Sequence, residues 1–126
     1  MSNWDITIRN LTAQECGDIA ITAAEGGIGY WSRIDSYQWS RWSNKDGSNK
    51  DVLDDFVFYT IREDPNDDGT YKGKPIKITP AVLRRGYKLF IEGGRHLAEP
   101  DEPSVADANE ADVIVQLGCL GEVVYG

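Results

Sequence analysis

Twice the chain sets a threonine ahead of a run with helical spacing and a Gly-Gly pair behind it. Thr12-Ala13-Gln14-Glu15 has the form of a capping box, in which Thr12 accepts from the Glu15 amide while Glu15 reaches back. Ala13, Cys16, Ile19, Ala20, Ala23 and Ala24 follow on one helical face, and Gly26-Gly27 stops the run. A helix is therefore expected over Ala13–Glu25, with a small alanine face that lets a sheet approach closely. Thr79-Pro80 opens the second bracket, because proline suits the first helical position, where its missing amide would be unpaired anyway. Val82, Leu83, Gly86, Leu89 and Phe90 form its apolar stripe, and Gly93-Gly94 ends it. A third helix is expected from Ser104 or Asp107, carrying Ala108, Ala111, Ile114 and Val115, and stopped by Gly118 or Gly121. Val123, Val124 and Tyr125 read as an apolar tail, either a last strand or a docked extension.

The segments between these helices read as strands. Trp4, Ile6 and Ile8 alternate with polar neighbours. Ile28–Trp42 reads as one long strand, bent or bulged, with neither face uniformly apolar. Asp46-Gly47 lies at the tip of the polar turn Ser43–Asp51. Val52–Arg62 is apolar on both faces, which places it in the middle of the sheet. Lys74–Ile78 makes a short strand. The chain of 126 residues suits one domain, and 40% hydrophobic residues suffice for a modest globular core. The expected architecture is α+β: a mainly antiparallel sheet of about four strands, with about three helices segregated from it.

Charge and cysteine narrow the setting. The net charge of −8 opposes direct binding to DNA or RNA, which depends on neutralising phosphates. All 13 Lys and Arg precede His96, so the acidic excess falls in the last quarter of the chain. That segment reads either as a solvated face or as an acidic surface that binds a basic protein or imitates nucleic acid. Cys16 and Cys119 lie among apolar residues and are expected as buried thiols of a cytoplasmic protein. No run of 18 apolar residues suggests a membrane span, and Met1–Asn10 has neither the basic start nor the apolar stretch of a secretory signal.

Motifs for catalysis are sparse. His96, the one histidine, sits in a Gly-Gly-Arg-His loop without a nucleophile elbow or a metal-ligand partner. No metal site and no cofactor are expected, and the chain is read as a non-enzyme. Asp64, Asn66 and Asp68 have the spacing of half a calcium loop, but Pro75 stands where the bidentate Glu belongs, so a hairpin turn is the better reading. Gly26-Gly27-Ile28-Gly29 follows a helix, not a strand, which argues against a dinucleotide fingerprint. Asp107 reads as a helix cap, and Gln116 as a polar group bonding a backbone or a subunit partner.

The aromatic and basic residues of Tyr30–Trp42 are the most unusual feature. Burial is the default use of tryptophan. The alternative is a recognition surface in which Trp31, Tyr37 and Trp39 stack on a base and Arg33, Arg84 or Arg95 hold phosphates. Arg85 is a further phosphate candidate.

Two stretches carry a family resemblance. Glu25-Gly26-Gly27-Ile28-Gly29-Tyr30-Trp31 resembles a segment near the start of small accessory proteins of phages, especially actinobacteriophages. Ala111–Gln116 followed by Gly121–Gly126 resembles the end of the same proteins, and Thr79–Gly86 is similar to a helix between them. The resemblance implies a phage origin and supplies no catalytic residues; small phage proteins of this kind often counter host defences. On that basis two functions are expected. One is sequestration of a small nucleotide-type signal by a homo-oligomer in the host cytoplasm. The alternative is inhibition of a basic host protein through the acidic C-terminal third. A minor virion component is a third possibility.

Overall fold

The computed structural model describes residues 10–65, 68–70 and 73–126. The strand expected at Trp4–Ile8 lies outside them. The architecture is α+β, with helices α1 (Ala13–Thr22), α2 (Pro80–Glu92) and α3 (Ala108–Leu120). Strands β1 (Ser32–Tyr37), β2 (Tyr59–Glu63) and β3 (Ile76–Ile78) form an antiparallel sheet in the order β1-β2-β3. The described residues thus contain three strands where about four were expected.

Local chemistry sets the helix starts. Thr12 and Glu15 form the capping box ahead of α1. The Thr79 hydroxyl accepts from the Val82 amide, with Pro80 in the first turn of α2. Asp107 and Glu110 make a second capping box that fixes the start of α3. The end of α1 differs from expectation. Gly26-Gly27 does not stop the chain abruptly; the helix widens into a π-helical turn over Ala23–Gly27. Helix α3 ends at Gly121, in the left-handed region.

The long strand expected over Ile28–Trp42 is much shorter. The Trp31 and Ser32 amides still bond back to the Ile28 carbonyl, so extended pairing begins only at Ser32. A bulge between Ile34 and Ser36 shifts the register against β2 and breaks the simple alternation of faces. The Gln38 amide then reaches the Phe58 carbonyl, and Trp39–Arg41 turns as a single 3₁₀ turn. That turn swings Trp42 inward, where its ring meets Phe58 edge-on at 5.5 Å between centroids. The strand expected over Val52–Arg62 also shortens, because the Phe56 amide closes a turn on the Leu53 carbonyl. Strand β2 does occupy the centre of the sheet, with Tyr59 and Ile61 buried and Thr60 and Arg62 half-buried.

Hydrophobic side chains from the three described helices and the sheet join in one cluster. The most extensive contact is between α2 and α3. It needs glycine on both sides. A Cβ on Gly86 would lie 2.0 Å from the Ile114 carbonyl oxygen, and one on Gly118 would lie 2.2 Å from that of Val82. Both distances are far inside van der Waals contact, so the two backbones touch. Gly17 plays the same part for Trp42, whose ring lies where a Cβ would be, 2.1 Å from Cζ2. Among the described residues, no helix is long and apolar enough to cross a membrane.

Candidate functional site

The two stretches that carry the resemblance meet around one carboxylate. Asp112, buried in α3, accepts from the Tyr30 hydroxyl at 2.6 Å, the Trp31 indole N–H at 2.8 Å and the Gln116 amide at 2.9 Å. Gln116 is fully buried, and its Oε1 accepts from the backbone amides of Val124 at 2.9 Å and Tyr125 at 2.8 Å. Its Nε2 also donates to the Tyr125 carbonyl at 3.1 Å. The Tyr125 ring covers Trp31 in a near-parallel stack, 5.1 Å between centroids and 7° between planes. The Tyr125 hydroxyl donates to the Glu63 carboxylate. The apolar tail is therefore a docked extension, and Gln116 bonds backbone. Desolvation and the bond to Asp112 push the Tyr30 phenol up to about 12. The bond to Glu63 and desolvation push that of Tyr125 up to about 12. Every donor here has an acceptor and Trp31 is only 1% exposed, so this constellation is an internal lock.

Of the residues expected to hold a nucleotide, Trp31 and Arg84 are tied into the fold. Trp31 is closed off under Tyr125. Arg33 stands on the exposed side of β1 and pairs with Asp64 at 3.4 Å. Tyr37 ends β1 and is 57% exposed, tilted against Tyr59. The backbone of Trp39 lies in the 3₁₀ turn, and its ring falls outside what is described. Arg84 donates to the Leu11 carbonyl at 2.8 Å and pairs with Asp54. Arg85 donates to the Gly118 carbonyl at 2.9 Å. Arg95 follows Gly94 on the exposed loop after α2.

The surface instead has a cleft of about 370 Å³ between α1 and the hairpin Ser43–Asn49. Asp18 and Ile21 of α1 and Glu25 of the π-turn form one wall at helical spacing. Tyr37 and Trp42 form the aromatic wall, and Ser43 and Asn49 close the polar end. Side chains hold the parts in register: Asn49 donates to Gln14 at 3.2 Å, and Gln14 donates to Asp18 at 3.0 Å. Glu25 makes no ion pair among the described residues, and its side chain is exposed. Trp42 is 3% exposed, yet its indole Nε1–H has no hydrogen-bond partner. The atom itself is buried, so this donor is an unsatisfied group of the core, at a cost of about 1–3 kcal/mol. Asp18 and Glu25 give the cleft an acidic lining beside the rings of Tyr37 and Trp42. Asp18, Glu25 and Asn49 are not among the candidate site residues of the sequence: Glu25 reads there as the end of the first helix and Asn49 as part of a polar turn.

Burial pushes both thiols up to about 12, and both cysteines are free, Cys16 buried and Cys119 half-buried. Asp68 accepts from the Thr70 amide at 3.0 Å and from its hydroxyl, as a turn residue does, while Asn66 lies outside the described residues. Among the described residues, no group of three or more His, Cys, Asp and Glu is arranged to hold a metal ion. No protein-family model matches the chain, and neither the curated proteins nor the solved structures include a match.

Proposed function

We propose that this chain is a binding protein that engages a basic protein partner through its acidic surface, in the phage setting that the sequence resemblance implies. The observation that carries this reading is the placement of charge. Asp18 and Glu25 face the cleft from α1 and its π-turn. Glu99, Asp101, Glu102 and Asp107 are exposed around the 3₁₀ turn Pro103–Val105, which packs against α1. Arg33, Arg62 and Arg84 are each tied to a carboxylate, and Arg85 to a backbone carbonyl. The arrangement supports this reading better than nucleotide sequestration, since Arg33 and Arg84 are each already paired with a carboxylate. A field of this sign speeds encounter with a cationic partner and weakens with salt.

The test is capture of a basic protein from the host, with identification by mass spectrometry and repetition against the purified partner. Binding should fall steeply between about 50 and 500 mM salt. The triple variant Glu99→Lys/Asp101→Lys/Glu102→Lys should lose most of it while keeping its melting temperature. Glu110 is left intact, because it closes the α3 capping box and accepts from the Ala98 amide at 2.8 Å. Unchanged capture by the triple variant would overturn the reading.

A further inference from the structure

We infer that the groove holding the C-terminal tail is also a site for the tail of a second copy of this chain, so that two copies exchange tails and fill each other's grooves. The sequence shown to fit the groove is the chain's own. Gln116 uses both ends of its side-chain amide on one stretch of backbone. Its Oε1 accepts from the Val124 and Tyr125 amides at 2.9 and 2.8 Å, and its Nε2 donates to the Tyr125 carbonyl at 3.1 Å. The Tyr125 ring stacks on Trp31 at 5.1 Å, and its hydroxyl donates to Glu63. Each of these contacts falls on Val124 or Tyr125. A tail from another copy can repeat all of them, so the exchange conserves the bonding of each groove.

The join between α3 and the anchored residues is built differently. Gly121 ends α3 with a φ of 80°, and a Cβ there would meet nothing within 4 Å. Gly121, Glu122 and Val123 are exposed, and among the described residues no backbone hydrogen bond holds Glu122 or Val123. A firm anchor behind a solvent-facing hinge lets a terminal segment change hosts without disturbing the helix it leaves. Three hinge residues reach at most about 11 Å, so in the exchanged pair the two α3 ends lie close and the hinges run side by side. Apolar surface is gathered there. Among the described residues six large hydrophobic side chains are exposed, and three of them, Tyr30, Val123 and Val124, belong to the groove or the tail. The closed monomer leaves these in water, whereas a second copy at the hinge covers Val123 and Val124. The competing state is the chain's own tail, which on so short a tether acts at an effective concentration of about 1 mM.

The test removes that competitor with two full-length variants. Tyr125→Pro keeps the groove but strips its tail of the ring, the hydroxyl and one amide donor. Gln116→Leu keeps the tail but strips its groove of the amide. The nitrogen-15-labelled Tyr125→Pro chain is titrated with unlabelled Gln116→Leu chain up to about 1 mM, following the Gln116 side-chain amide and the Trp31 indole N–H. Both resonances should return to their wild-type positions. Wild-type chain as titrant, its tail held in its own groove, should act at least about tenfold more weakly. The double variant Gln116→Leu/Tyr125→Pro should not act at all. A second measurement needs no variant. A mixture of carbon-13-labelled and unlabelled wild-type chains at about 1 mM should show a nuclear Overhauser effect between the Trp31 ring of one copy and the Tyr125 ring of the other. Unmoved resonances in folded variants, equal action of the double variant, or no effect between wild-type copies would each overturn the inference. Melting temperatures show whether the variants fold; if either does not, the wild-type measurement decides.

Discussion

Replacing Gln116 by leucine should release the C-terminal tail. Leucine keeps the volume of the fully buried side chain and removes its polar atoms. Three of the bonds lost hold the tail: the Val124 and Tyr125 amides on Oε1, and Nε2 on the Tyr125 carbonyl. At about 1 kcal/mol net for each bond, the tail loses about 3 kcal/mol of docking free energy, roughly a hundredfold in its opening equilibrium. Two further bonds, to Asp112 and, at 3.4 Å, to the Tyr30 hydroxyl, are lost as well, but the Asp112 carboxylate keeps the Tyr30 hydroxyl and the Trp31 indole. The released backbone recovers hydrogen bonds to water, which limits the damage to the rest of the fold. Global stability should therefore fall by about 2–4 kcal/mol, the tail contributing most of it. Native-state hydrogen exchange tests this directly, since the Val124 and Tyr125 amides should lose their protection while α2 amides keep theirs. Urea unfolding supplies the global figure. Wild-type exchange at both amides, or a stability change under about 0.5 kcal/mol, would refute the argument.

Further outcomes follow from the same structure. Gly86→Ala should destabilise by more than about 3 kcal/mol, because its methyl group would sit inside the Ile114 carbonyl, and thermal melts will show whether α2 and α3 can part cheaply. Tyr30 and Tyr125 have folded-state phenols raised to about 12 from an ordinary 10, so the folded state favours the neutral form. Their contribution is complete below pH 10 and is lost as pH rises through 12; absorbance at the phenolate band should show late ionisation coupled to loss of tail protection. Asp107→Ala should cost about 1 kcal/mol through loss of the α3 cap, read from the urea midpoint. Cys16 and Cys119 should react slowly with a thiol reagent at pH 8, since burial holds both thiols neutral, and rapid modification of the folded protein would contradict that.

The helices were legible because their signals are local. Thr12 with Glu15, Thr79 with Pro80, and Asp107 as cap all act within one turn of chain. The strands were overread because tertiary contacts cut them short. Trp31 leaves the extended path to reach Asp112, and Trp42 turns in over Gly17, neither of which alternation alone can express. Asp112 and Gln116 did leave a trace, two polar residues one turn apart on an otherwise buried face of α3. Of the cleft, only the aromatic wall of Tyr37 and Trp42 left a trace. Its parts come from α1, the end of β1 and a hairpin, and only folding makes Asp18, Tyr37 and Asn49 neighbours.

The lock between Trp31 and α3 also bears on how the chain folds. Trp31 and Asp112 are 81 residues apart in sequence, so their contact closes a long loop whose entropy must be met before the bond can form. Hairpins and capped helices form from near neighbours on microsecond timescales, whereas this contact waits for the elements between to assemble. Indole burial at Trp31 should thus report a late, long-range step. Substitutions at Asp112 or Tyr125 should speed unfolding more than they slow folding, the signature of contacts absent from the transition state.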